Sequence, residues 1–276
     1  MKPAICHYSF HRRWKAENWT PERLAAEVRV LGVEALDFHA GLLGMTAGAA
    51  RLMRDVVVKH GLTLSGVSLS NNFNQEKPED FRAQVAMVKQ WIRIAAEAGA
   101  RVSRIFGGSL TRDERRDPGA RARRRQRVLD GLGQVVGEAA EHGIVLALEN
   151  HGGLPCTAEE QVQMIEAIGS PWLRATVDIG NYMSCGQEAH VGTRLAASHC
   201  AYVHFKDFRK IPDPTLPWGW GTEACILGEG DVNLHGCVAA LRDSGYAGFV
   251  ALEYEGKEDE QTGVPRSVAF MRSILG

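Results

Sequence analysis

The feature that most constrains this chain is an alternation that runs its whole length. Short β-type runs at 4–10, 35–39, 62–71, 101–107, 144–151, 173–180, 202–208 and 248–255 are separated by helical patterns. Those patterns cover 20–31, 46–60, 78–98, 118–142, 157–168, 189–199, 233–244 and 264–275. Gly32, Gly61, Gly99, Gly143 and Gly245 each follow a helical pattern just before a strand, where a helix commonly ends on a left-handed residue. Thr20 before Pro21 reads as an N-cap, and Thr157 with Glu160 reads as a capping box. Eight strand–helix units in 276 residues predict a single (β/α)8 TIM barrel spanning 1–276. An open dinucleotide-binding sheet is disfavoured, because no G-x-G-x-x-G follows the first strand.

Composition excludes several classes. Formal net charge is −1, which gives no general attraction to nucleic acid or to an anionic membrane. No apolar run approaches a membrane span, and "MKPAICHYSFHRRW" lacks the apolar stretch of a secretory signal. Six cysteines without a C-x-x-C pair suggest reduced thiols and a cytoplasmic setting. The run "RARRRQR", 121–127, falls within a helical pattern and reads as a solvated face or a subunit contact. The longest irregular stretch is 209–231, after the seventh strand, and its "GEGD" reads as a turn seating the next helix.

Strand side chains alternate between faces, so each barrel strand sends one set toward the helices and the other inward. In "IVLALENH", Ile144, Leu146 and Leu148 form the outer set, leaving Glu149 and His151 inward at the C-terminal end. The same parity puts Asp178 inward on the sixth strand, His204 and Lys206 on the seventh, and Glu253 and Glu255 on the eighth. Asp37 and His39 fall inward on the second strand, and His7 and Ser9 share a face on the first. The third and fourth strands do not resolve by parity. Glu149, Asp178, His204 and Glu253 thus reach one barrel mouth from four successive strands. Three carboxylates and an imidazole suit one divalent ion: Mn²⁺, Mg²⁺ or Co²⁺, with Zn²⁺ as an alternative. The competing reading is a metal-free site with carboxylates paired to Lys206.

The motifs "ALENHGG", "TVDIGN", "YVHFKDF", "LGEGDVN" and "VALEYEG" resemble, in order and spacing, the xylose isomerase-like TIM barrels, a superfamily that includes sugar phosphate isomerase/epimerase-type proteins. The resemblance implies that Glu149, Asp178, His204 and Glu253 bind one divalent metal. It also implies that Glu149 and Glu253 exchange protons with substrate. In the ketose 3-epimerase branch a His stands three residues after the metal Asp, where this chain has Asn181. The substrate-binding Arg of that branch corresponds to Lys210, with Arg209 one position earlier. The resemblance further implies a homo-oligomer.

The expected activity is isomerisation or epimerisation of a ketose, keto-sugar or cyclitol, by removal of a proton α to a carbonyl with the enediolate charge held by the metal. His151, Lys206, Asn181, His39 and His7 are candidate substrate-binding groups. Trp14, Trp218 and Trp220 are loop residues that could cover a sugar ring. Two other classes share the same residues: a lyase or dehydratase acting on an inosose, 3-keto-glycoside or dehydroshikimate-type substrate, and a non-catalytic sugar-binding barrel.

Overall fold

The computed structural model describes residues 1–276, apart from the side chain of Arg112. Ten strands occur in chain order: β1 Lys2–Cys6, β2 Ala35–His39, β3 Thr63–Ser68, β4 Val102–Ile105, β5 Val145–Glu149, β6 Leu173–Asp178, β7 Cys200–Phe205, β8 Asp207–Pro212, β9 Trp220–Cys225 and β10 Phe249–Leu252. Eight of them close a parallel barrel in the order β1-β10-β7-β6-β5-β4-β3-β2. Each barrel connection therefore returns through helix, as parallel strands require.

The helices begin and end where local chemistry says they should. Pro78–Ala98 opens on Pro78 and closes on Gly99 at φ 91°. Pro118–His142 is capped by Asp117 and closes on Gly143 at φ 66°. The expected Thr157 cap accepts from the Glu160 N–H at 3.4 Å, but the capping box is incomplete. The Glu160 carboxylate turns instead to the Cys156 N–H at 2.9 Å and to Arg121. A complete box stands at Thr111 and Glu114.

Parity divides the core in two. Leu146, Leu148, Val177, Val203, Phe205, Val250 and Leu252 belong to the large cluster between barrel and helices. Ala4, Cys6, Ala35, Ala147, Tyr202 and Ala251 form a small interior cluster, with the Tyr202 hydroxyl bonded to Ser65 at 2.9 Å. Small side chains and one tyrosine plug the lower barrel, so the charged residues above them stand on a dry floor.

Three expectations are corrected. First, the first strand ends at Cys6, and His7–Phe10 form a three-ten turn in which Ser9 bridges the Leu252 carbonyl and the Tyr254 N–H. Second, the stretch 209–231 is largely ordered as an antiparallel β8–β9 hairpin, with Asp207 opposite Cys225 and Pro212 opposite Trp220. The Asp207 carboxylate fastens both ends of this excursion, accepting from the N–H groups of Phe208, Gly228, Gly230 and Val232. Gly230 lies so close to Asp207 that a Cβ would collide with the carboxylate. Third, Cys156 and Cys185 form a disulfide, against the expectation of six reduced thiols. The remaining four cysteines are free. Among the described residues, no helix is long and apolar enough to cross a membrane.

Candidate active site

Four residues at the C-terminal end of the barrel converge. Glu149 ends β5, Asp178 ends β6, His204 lies in β7 and Glu253 follows β10. One ligand-capable atom of each lies within 4.8 Å of the others, and all four side chains are buried. His204 Nδ1 stands 3.4 Å from Glu149, 3.6 Å from Glu253 and 4.0 Å from Asp178. Its Nε2 faces Asp37 at 3.6 Å. Asp37 in turn accepts from Ser68 Oγ at 2.5 Å, so the imidazole is backed by a carboxylate that is itself held.

The remaining expected residues divide between this centre and its surroundings. Asn181 belongs to it: its Nδ2 donates to Glu149 Oε1 at 3.1 Å, and its backbone N–H donates to Asp178 at 2.9 Å. Lys206 also belongs to it. Its Nζ meets Glu253 at 2.5 Å, Glu255 at 2.9 Å and Asp178 at 3.1 Å. His151 lies beyond the end of β5, with its ring 4.1 Å from that of Phe106; burial lowers its pKa, partly offset by the Glu149 carboxylate. His39 is buried against Ser70, with a ring contact to Tyr8. His7 is fully buried beside Trp14 at 4.2 Å, and neither of its nitrogens has a hydrogen-bond partner. Burial lowers the pKa of both, that of His39 to about 4. Of the tryptophans expected in loops, Trp14 is in the helix His11–Ala16 and Trp220 is in β9, while Trp218 is in the hairpin turn.

Arg104 was not expected from parity. It comes from β4, pairs in register with Ala147 and is 2% exposed. Its Nε lies 3.0 Å from Glu149 and its Nη2 lies 3.9 Å from Glu253, while Nη1 donates to the Leu69 carbonyl at 2.7 Å. Its guanidinium stacks on Phe106 at 4.1 Å, so Arg104, Phe106 and His151 form a ladder from the floor of the site to its rim.

The electrostatics follow from crowding. Burial opposes ionisation of Glu149, yet Arg104 and then His204 hold its carboxyl down at about 2. Burial likewise opposes ionisation of Glu253, and Lys206 and His204 reverse it. Asp178 is pushed up to about 7, chiefly by burial and in part by the neighbouring glutamates, with Lys206 only partly offsetting them. Among the described residues, Asp37, Glu149, Asp178, Glu253 and Glu255 face three cationic groups: Arg104, Lys206 and the His204 imidazole, whose pKa, against the lowering effect of burial, the surrounding carboxylates raise well above its ordinary value. Both His204 nitrogens are buried without a hydrogen-bond partner, and Glu149 Oε2 and Asp178 Oδ2 meet the charged groups of Arg104 at 3.0 Å and Lys206 at 3.1 Å outside hydrogen-bond geometry. Buried polar groups rarely stay unpaired, and unbalanced buried charge is costly. The site thus has the donor set and the surplus negative charge to hold a small divalent cation.

A cleft of about 550 Å³ opens at the opposite end of the barrel, lined by Lys2, Glu34, Thr63 and Arg272 among others. Among the described residues, it gathers no cluster of metal-capable side chains.

Comparison with known proteins agrees with this architecture. The L-ribulose-5-phosphate 3-epimerase UlaE of Escherichia coli (strain K12 / DH10B) is 24% identical over 252 residues, which cover 89% of this chain and 84% of that protein. A D-psicose 3-epimerase from Clostridium cellulolyticum H10, solved with D-tagatose, superposes with a TM-score of 0.75 at 18% identity, over 100% of this chain and 99% of that one. A xylose isomerase-like TIM barrel protein from Mycobacterium smegmatis, solved in complex with magnesium, gives a TM-score of 0.72 at 18% identity, over 92% and 87% of the two chains. The profile of the Xylose isomerase-like TIM barrel family matches residues 23–274, and the chain belongs to that family.

Proposed function

We propose that this protein is a sugar epimerase or isomerase that holds one divalent cation through Glu149, Asp178, His204 and Glu253. Its substrate is a small ketose, keto-sugar or cyclitol. The observation that carries the reading is the convergence of four buried ligand-capable side chains, one atom of each within 4.8 Å of the others, with carboxylates in excess of the cations beside them. The donors fit a hard to borderline ion, Mn²⁺, Mg²⁺ or Co²⁺, with Zn²⁺ as an alternative. Relatives with ketose 3-epimerase names support the sugar class.

The bound ion would supply a Lewis acid for the substrate's carbonyl oxygen. The chain's own residues supply the rest. Glu149 and Glu253 come from β5 and β10, three strands apart around the barrel, so they reach the mouth from different sides. Held ionised by Arg104 and Lys206, one carboxylate can take the proton α to the carbonyl and the other can return one to the opposite face. Asn181 fixes the rotamer of Glu149. Lys206 bridges Asp178, Glu253 and Glu255 and keeps the last of these directed at the mouth. His151 on the Phe106 ring is placed to meet a substrate hydroxyl at the rim.

The test is a panel of ketoses, keto-sugars and inososes incubated with protein and Mn²⁺ in deuterated water. Deuterium entering at one carbon of a product of unchanged composition is the expected result. A product lighter by one water would identify the lyase reading. Retained affinity with no exchange on any member, unaltered in Glu253→Gln, would identify a binding protein instead.

A further inference from the structure

We propose that the barrel mouth carries a second recognition site, for an oxyanion borne on the substrate away from its reacting carbon. The proposal rests on the sugar-epimerase reading and specifies its substrate as a phosphorylated or carboxylated one. A cavity of about 400 Å³, within the range of small-ligand pockets, is lined by Arg115, Arg116, Arg121, Trp218 and the Cys156–Cys185 disulfide among others. Three arginines line it and, among the described residues, no Asp or Glu does, in a chain whose net charge is −1.

The guanidinium groups are not all committed elsewhere. Arg121 is held by Glu160. Arg115 donates its Nε to the Leu110 carbonyl at 3.3 Å. Among the described residues, neither Arg115 nor Arg116 meets a carboxylate. Both are exposed, so their remaining N–H groups are open to a ligand. Guanidinium is the group best shaped for two-point contact with phosphate or carboxylate. Beside the arginines the wall is apolar: the Trp218 indole packs over Gly186, its Nε1 is fixed on the Trp220 carbonyl at 2.7 Å, and the disulfide continues the surface. Such a wall accepts the carbon skeleton of a ligand while its charged end meets the arginines.

Position ties this cavity to the reacting centre. Its walls come from the segments following β4, β5, β6 and β7, at the end of the barrel where Glu149, Asp178 and His204 converge. Cys185 follows the short helix Asn181–Ser184, whose Asn181 holds Glu149. Cys156 lies in the loop of His151, whose N–H donates to the Pro155 carbonyl at 3.2 Å.

The experiment compares deuterium exchange on three matched substrates: a neutral ketose, its phosphate ester, and a keto-uronate. The proteins are the wild type, Arg115→Gln/Arg116→Gln and the charge-matched control Arg29→Gln/Arg82→Gln, whose substituted side chains lie outside this cavity. The expected result is a wild-type kcat/KM preference for one anionic substrate of about tenfold or more, as for one or two charge-assisted contacts. The first double variant loses that preference through KM, and the control retains it. Which anion is preferred separates phosphate from carboxylate. Equal preference in both double variants, or none in the wild type, overturns the proposal. If no ketose of any charge exchanges deuterium, it is the epimerase reading that fails, and calorimetric titration with inorganic phosphate then judges the cavity alone. Binding lost in Arg115→Gln/Arg116→Gln and kept in the control supports the site; absence of binding to the wild type overturns it.

Discussion

Replacing Arg104 by Met tests whether the negative charge of the site is balanced as described. The side chain is 2% exposed, with its Nε 3.0 Å from Glu149. Glu149 is held at about 2 against an ordinary 4.5, with burial opposing the shift and Arg104 the largest force behind it. At ~1.4 kcal/mol per pKa unit that difference corresponds to about 3 kcal/mol, which agrees with the ~3–5 kcal/mol typical of breaking a buried pair. The Leu69 carbonyl also loses its donor. We expect the metal-free variant to be less stable by about 3 kcal/mol, a fall in Tm of about 6–12 °C for a chain of this size.

The pH dependence has a definite sign. A carboxyl with a depressed folded-state pKa contributes stability that is present above its unfolded value and is lost as pH falls through the folded value. The penalty of Arg104→Met is therefore constant from neutral pH down to about 4.5 and shrinks between there and about 2. A divalent cation bound to Glu149 would replace the missing charge, so saturating Mn²⁺ should remove more than half of the penalty. The assay is urea denaturation of both proteins in chelator and in Mn²⁺. A loss below about 1 kcal/mol in chelator, or an equal loss in both conditions, would refute the balance of Arg104 against Glu149.

Other outcomes follow from the same geometry. Chelator-stripped protein should gain about 2.7 kcal/mol in Mn²⁺ at a hundredfold excess over Kd, and Asp178→Asn should abolish the gain, as measured by thermal melts. Gly180→Ala would drive a Cβ into Lys206 Cγ and the Phe208 ring; a loss of about 1–3 kcal/mol in stability and of exchange activity is expected, and an unaltered rate would argue against a role for Lys206. Burial lowers His39 from 6.5 to about 4, so the folded state binds fewer protons than the unfolded one between those values. Stability should fall by about 3 kcal/mol as pH drops through that window, and His39→Gln should flatten the slope in pH-dependent melts. The Cys156–Cys185 bond closes a loop of sequence separation 29, so Cys156→Ser/Cys185→Ser should cost about 3–4 kcal/mol in non-reducing denaturation.

What the sequence made legible was the part governed by simple alternation. Leu146 and Leu148 point to the helices while Glu149 points inward, and β6, β7 and β10 repeat the rule, so the four converging side chains could be read from parity alone. Parity failed where the backbone departs from regularity. The register between β2 and β3 shifts at Leu36 and Asp37, and "LTLSGVS" carries serines on both faces. β4 has four residues, with Ser103 and Arg104 both buried, so no polar–apolar contrast marks its faces. Arg104 becomes visible only through its pairing with Ala147 across β5. His151 lies past Glu149, where β5 ends and the chain turns, so strand periodicity alone does not set its direction. The disulfide joins segments brought together by the barrel, a proximity that cysteine spacing does not encode.

The four N–H groups gathered by Asp207 make the β8–β9 excursion a closed module, knotted at its base to a single carboxylate. Both chain ends of that module meet within one side chain's reach, immediately after Lys206. Its tip, with Trp218, can therefore be lengthened, shortened or exchanged without re-registering any strand of the barrel. A fold arranged in this way can change what it admits at its mouth while leaving untouched the residues that handle the proton.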